Sequence, residues 1–132
     1  MYLFGASGHG KVVKEIIEAN GGEVEAFVDD NKNVYKCAVK PVLHDATGLT
    51  PMIVSIGVNR IRKIVVEKIC SLTPNIEFTT AVHPSAVISP SAKIGKGTVV
   101  MAGTVINADY GDYFFGADAC LFPFFRGDGH QD

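Results

Sequence analysis

Two hydrophobic rhythms divide the chain. Over the first eighty or so positions, short apolar runs alternate with apolar residues at helical spacing. Tyr2, Leu3 and Phe4 predict a short buried strand, and Lys11 to Asn20 an amphipathic helix with Val12, Val13, Ile16 and Ile17 on one face. Gly21-Gly22 is expected to end that helix, because glycine takes the left-handed conformation of a helix C-terminus. Val24 to Val28 predicts a second strand that runs into the polar turn Asp29-Asp30-Asn31. Val34 to Val39 is a weaker strand, and Pro41-Val42-Leu43 a short extended piece. The apolar run Met52 to Ile56 fits a buried parallel strand. Asn59 is placed to cap the following helix. That helix carries Ile61, Ile64, Val65, Ile69 and Leu72 at helical spacing, with Pro74 just past its end. Ile76 to Thr80 can add another strand. Strands alternating with helices predict a small parallel α/β sheet.

From Val82 the rhythm changes. Val82, Ile88, Ile94, Val100 and Ile106 are aliphatic residues at every sixth position, and Ala86, Ala92, Gly97, Thr98, Gly103 and Thr104 fall between them. Neither a strand period of two nor a helix period near 3.6 explains this. A period of six suits a left-handed parallel β-helix, with one aliphatic residue per hexad pointing inward. The next inward position would be Asp112, so the register fails there. The stretch from Tyr110 to Asp132 carries five of the chain's 8 phenylalanines. The hexads supply fewer than two full coils, and a stacked solenoid needs about three or more repeats to bury its core. The expectation is a chain that stops short of a longer β-helix, as a truncated or frame-shifted gene product would.

Composition narrows the class. The 132 residues are 47% hydrophobic and 20% charged, with a formal net charge of -2, as in a globular protein without an electrostatic footprint for nucleic acid or an anionic membrane. No apolar run approaches the roughly 18 residues of a membrane span, and no secretory leader is expected. A cytoplasmic protein is the expectation. Cys37, Cys70 and Cys120 share no ligand-like spacing and are expected to be isolated reduced thiols, with no metal site.

The candidate chemistry centres on Gly5-Ala6-Ser7-Gly8-His9-Gly10-Lys11, a glycine-rich turn between the first strand and the first helix. Such a turn presents backbone N–H groups to an anion at a helix N-terminus. Three site types compete for it. The dinucleotide fingerprint G-x-G-x-x-G is not met, since the glycines here are spaced G-x-x-G-x-G, although a related Rossmann variant stays open and with it an NAD protein. The P-loop pattern fits from Gly5 through Lys11 and fails at Val12, where a magnesium-binding hydroxyl should stand. The third is a sugar-nucleotide site, in which the loop amides approach the ligand and Ser7 and His9 add side-chain hydrogen bonds. Asp29 and Asp30 end the second strand, where an acid can accept hydrogen bonds from ribose or a base. Alone, that composition makes a solvated turn; beside a glycine loop one strand earlier, the site reading gains weight. Gly57 and Asn59 should face the same edge. Arg60, Arg62 and Lys63 can help with phosphates or form a solvated helix face.

These residues resemble the bacterial nucleotide-sugar acetyltransferases that make acetylated amino sugars, including UDP-4-amino-sugar N-acetyltransferases and sialic acid O-acetyltransferase-like proteins. Leu3 to Val13 is similar to their opening motif, Phe27-Val28-Asp29-Asp30 and Ser55-Ile56-Gly57-Val58-Asn59 to the next two, and His83-Pro84-Ser85-Ala86 to the start of their β-helix. The likeness covers about residues 1 to 109.

The resemblance implies a Rossmann-like domain over residues 1–80 that binds a UDP-amino sugar, an incomplete left-handed β-helix over 81–109, and an unmatched aromatic tail over 110–132. It implies acetyl-CoA as co-substrate and a homotrimer. By position, Ser7, Gly8 and His9 would contact the nucleotide-sugar, Asp29 and Asp30 the uridine, and Gly57 would line the pocket. The implied reaction is acetyl transfer to a sugar amine or hydroxyl, with a histidine as general base. The family's histidine lies in the β-helix beyond the matched segment, so no catalytic residue is assigned. His130 does not take the role, His83 is expected to be structural at the domain junction, and His44 is expected in a loop. The chain is therefore expected to be the acceptor-binding part of an acetyltransferase, or a non-catalytic nucleotide-sugar-binding module.

Overall fold

Tyr2–Phe4 forms strand β1, and its side chains alternate between two apolar layers, as a strand buried on both faces requires. The structure is a computed structural model, and it describes residues 1–92, 94–107 and the strand Phe124–Phe125. After β1 come α1 (Gly8–Ala19), β2 (Ala26–Val28), β3 (Lys36–Cys37), β4 (Lys40–Leu43), β5 (Met52–Val54) and α2 (Asn59–Leu72). The sheet order is β3-β4-β2-β1-β5. All neighbours are parallel except the β3–β4 hairpin at the edge. The expected parallel α/β sheet is present.

The two helices cover opposite faces. Val13, Ile16 and Ile17 of α1 pack with Leu3, Phe27 and Ile53. Val66 and Ile69 of α2 pack with Phe4, Val28, Met52 and Val54. Helix α1 starts earlier than its apolar spacing predicts, taking Gly8, His9 and Gly10 into its first turn. It ends as expected. Gly21 takes φ +80°, its N–H bonds the Glu18 carbonyl at 2.9 Å, and the Gly22 N–H bonds the Ile17 carbonyl at 2.9 Å, the paired bonds of a Schellman terminus.

Several local expectations are corrected. Val12 is exposed, as are Ile61, Ile64 and Leu72. The buried row of α2 is Arg62, Val66 and Ile69, and the buried Arg62 guanidinium has the Ile56 carbonyl and the Asn59 side chain as acceptors. Val58, not Asn59, is the cap residue of α2; Asn59 instead accepts a hydrogen bond from the Arg62 guanidinium. The strand expected over Ile76 to Thr80 is reduced to a single bridge between Phe78 and Met52. Cys37 is free and buried, whereas Cys70 is disulfide-bonded rather than an isolated thiol.

Beyond the sheet, β6 (Ala81–Val82), β7 (Val87–Ile88), β8 (Val99–Val100) and β9 (Val105–Ile106) wind in parallel coils. Ala81 aligns with Val99 and Val87 with Val105, three hexads on in each case. The hexad aliphatics do point inward. Val100 and Ile106 are buried and pack with Val82, Ile88 and Ile94. Gly97 and Gly103 take φ +81° and +73° at equivalent corners. A further strand, β10 (Phe124–Phe125), lies parallel to β8; the rest of the aromatic tail is outside the described residues. Helix α1 joins the two parts, since Ala81 and Val99 share its apolar cluster and the Asn20 carboxamide donates to the Val82 carbonyl at 2.7 Å.

Candidate functional site

The chain leaves β1 through α1 to β2 on one side of the sheet and reaches β5 on the other. The connections that leave the carboxyl ends of β1 and β5 therefore lead to helices on opposite faces, and ligands of open α/β sheets bind in the crevice at such a point. The glycine loop lines one side and Ser55-Ile56-Gly57 the other.

The loop is built by close backbone approach. Gly5 takes φ +115°, and a Cβ there would lie 3.1 Å from the Ser55 carbonyl oxygen and from its Oγ. At Gly10 a Cβ would fall 2.2 Å from the Gly5 carbonyl oxygen and 3.0 Å from Phe27, so this glycine is demanded by helix–strand packing. Gly8 differs. Its φ is ordinary, and a Cβ there would meet nothing within 4 Å. Ser7 caps α1 in extended conformation without a side-chain capping bond and is exposed. The N–H groups of a helix's first turn have no intrahelical acceptor, so Ser7 and Gly8 present an exposed hydroxyl and open backbone at the positive end of the α1 dipole, with the half-buried His9 imidazole beside them, its Nε2 edge turned from solvent.

His9 and Gly57 meet across the crevice, with a Gly57 Cβ placed 3.9 Å from His9 Nδ1. Ser55 fixes the two walls together. It is fully buried, and its Oγ approaches the Phe4 carbonyl at 2.9 Å and the Gly5 carbonyl at 3.2 Å. In the sequence this residue was marked as a hydroxyl within an apolar run and as the first residue of Ser55-Ile56-Gly57-Val58-Asn59, with no role assigned to it.

Asp29 and Asp30 part company. The Asp29 carboxylate accepts from the Ala6 N–H at 2.9 Å through one oxygen and from the Asn31 N–H at 2.9 Å through the other. Asp30 is exposed and pairs with Lys68 of α2 at 3.0 Å. Of the basic residues considered for phosphate, Arg62 is buried and donates to the Ile56 carbonyl at 3.2 Å, bracing the Gly57 wall, while Arg60 and Lys63 are exposed.

The other histidines stand apart. His44 Nε2 lies 2.9 Å from the Val34 carbonyl, and His83 Nδ1 accepts from the Ser85 N–H at 3.0 Å, at the first turn of the coils. Among the described residues no group of three or more His, Cys, Asp or Glu is arranged to hold a metal ion, and no helix is long and apolar enough to cross a membrane.

Fold and site define a class: a doubly wound α/β unit with a glycine-loop crevice, followed by parallel coils. The PglD N-terminal domain family matches residues 1–69, and the chain belongs to that family. Among solved structures it is similar to a variant of perosamine N-acetyltransferase from Caulobacter crescentus in complex with CoA and GDP-perosamine. That similarity has 38% identity and a TM-score of 0.73, over 82% of this chain and 54% of the other. PerB from Caulobacter crescentus, in complex with the same two ligands, gives 38% identity and a TM-score of 0.72, over 82% and 54%. The acetyltransferase domain of PglB from Neisseria gonorrhoeae, in complex with acetyl coenzyme A, gives 36% and 0.67, over 81% and 55%. The chain thus spans about half the length of these structures. Comparison with curated proteins found no match.

Proposed function

We propose that the crevice binds a nucleoside-diphosphate-linked amino sugar, the acceptor in an acetyl-CoA-dependent acetyltransfer of glycan or surface-polysaccharide synthesis. In this reading residues 1–80 are the sugar-nucleotide-binding domain, and residues 81–109 begin a left-handed β-helix of a homotrimeric, cytoplasmic enzyme. Ser7, Gly8 and His9 meet the diphosphate and sugar, Gly57 lines the opposite wall, and Asp29 and Asp30 stand at the nucleoside end. The solved neighbours support an amino-sugar acceptor and a coenzyme A co-substrate. No described residue is assigned to hold acetyl-CoA or to take the acceptor's proton, and this chain supplies the acceptor-binding part.

Gly8 carries the reading. Gly8 is the first residue of α1, and neither backbone conformation nor packing requires a glycine at this position. A ligand lying directly on the loop backbone does require it. The walls are also held before any ligand arrives, by Ser55 on one side and by the Arg62 bond to Ile56 on the other, which lowers the ordering cost of binding.

The test is a thermal-shift series with UDP, GDP and NADH. A ligand that binds only the folded state stabilises it by about 2.7 kcal/mol at a hundred times its Kd. The reading expects a saturable shift with UDP or GDP and none with NADH. The UDP implied by the family resemblance and the GDP of the perosamine enzyme are its two arms. A shift with NADH alone would overturn it. Thiol release from acetyl-CoA by this chain alone, with a nucleotide-linked amino sugar, would overturn the claim that it supplies only the acceptor-binding part.

A further inference from the structure

We infer that Asp29 is a positioning residue, which holds the glycine loop in its anion-binding shape through the Ala6 amide and does not contact the nucleoside. The inference rests on the sugar-nucleotide reading of the crevice. A carboxylate beside an anion-binding loop keeps its charge and repels the ligand's phosphates, so its place there calls for a structural role. Both Asp29 oxygens are engaged, each accepting a backbone N–H at 2.9 Å. The Ala6 bond spans from the end of β2 to the turn after β1. It complements the Gly5 N–H bond to the Val28 carbonyl at 2.7 Å and the Ser55 hydroxyl near the Gly5 carbonyl. The loop is therefore pinned from both neighbouring strands.

Two consequences follow. The Ala6 N–H is committed to Asp29, so the phosphate site begins at Ser7 and Gly8, not at Gly5. Asp30, whose exposed carboxylate pairs with the Lys68 side chain among the described residues, is the acid left for the nucleoside.

The experiment has two independent readouts on the whole chain. Amide exchange and proton shift of Ala6 are followed by NMR without ligand, in the wild type, Asp29→Ala and Asp29→Asn. Affinities for inorganic pyrophosphate, UDP and GDP are then measured by calorimetry. The latch predicts a protected Ala6 amide in the wild type, at least tenfold faster exchange in Asp29→Ala, and an upfield Ala6 proton in Asp29→Asn, whose neutral oxygen still accepts. It also predicts that Asp29→Ala weakens all three ligands by a common factor of about tenfold, with Asp29→Asn recovering most of it. An Ala6 amide unchanged by Asp29→Ala overturns the latch. So does a loss for UDP and GDP with pyrophosphate unchanged, which marks a nucleoside contact. Should Asp29→Ala not fold, the Ala6 shift in Asp29→Asn decides the same point. A wild type that binds none of the three overturns the reading of the crevice, while the exchange data still decide the latch.

Discussion

Replacing Gly8 by alanine separates what the fold needs from what the ligand needs. The position opens α1 with an ordinary φ, and an added Cβ meets nothing within 4 Å. The folded state therefore accepts the methyl group without strain, while the unfolded chain loses conformational freedom. Stability should rise by about 0.4–1 kcal/mol, or roughly 2–6 °C in Tm for a domain of this size. Binding should move the other way. A phosphate oxygen must approach the loop N–H groups to about 2.9 Å, and a methyl group on that surface holds it off. Weakening one hydrogen bond to a charged group costs about 1.5–3 kcal/mol, or roughly ten- to a hundredfold in Kd. Urea denaturation and calorimetric titration with UDP and GDP on the same preparations measure both effects. Gly10→Ala is the contrast, because its Cβ would fall 2.2 Å from the Gly5 carbonyl oxygen, and overpacking of that kind destabilises by about 1–3 kcal/mol or more. Unchanged affinity in Gly8→Ala, or lowered stability, would refute the reasoning.

Three further outcomes are expected. Ala38 and Val39 both take positive φ in the β3–β4 hairpin, +45° and +61°, where Asn-Gly is the favoured pair. Ala38→Asn with Val39→Gly should stabilise by about 1 kcal/mol in urea denaturation, since exposed Val39 leaves no cavity; a loss of stability would show that the tip is not strained. Burial pushes the Cys37 thiol above its ordinary pKa. A raised folded pKa means that its contribution is present below the unfolded thiol's pKa and lost as pH rises through the folded value. Wild-type stability should thus fall more steeply above about pH 9 than that of Cys37→Ser, and native Cys37 should react slowly with a thiol reagent at pH 8; rapid labelling would contradict this. Ile106 is 2% exposed in the coil interior, and Ile106→Ala should cost about 2–5 kcal/mol. A cost under about 0.5 kcal/mol in urea denaturation would mean that the coil core contributes little.

What was legible in the sequence is what local patterning controls. The hexad aliphatics, the alternating strands and helices and the Gly21-Gly22 helix end each follow from residues a few positions apart. The glycine loop was legible as a tight strand-to-helix turn, and Gly5 and Gly10 indeed stand where a Cβ has no room. The phase of α2 was not legible. The apolar spacing Ile61, Ile64, Val65, Ile69 and Leu72 marked the helix, but of these only Ile69 joins the buried row that tertiary packing chose, Arg62, Val66 and Ile69, with the Arg62 guanidinium bonded to the Ile56 carbonyl. The hairpin at Ala38-Val39 was read as part of a weak strand, since neither residue carries the turn chemistry its conformation calls for. Within the site, the parts missed are long-range. The Asp29 bond to Ala6 and the Ser55 bonds to Phe4 and Gly5 join residues 23, 51 and 50 positions apart, and only the folded sheet brings them together.

The most direct test of the account follows the backbone amides of the whole chain by NMR during titration with a UDP- or GDP-linked amino sugar. The account predicts saturable shifts concentrated at Ser7, Gly8, His9 and Gly57, with the β9 amides at Val105 and Ile106 unmoved. Shifts confined to the coils, or none at saturating ligand, would contradict it.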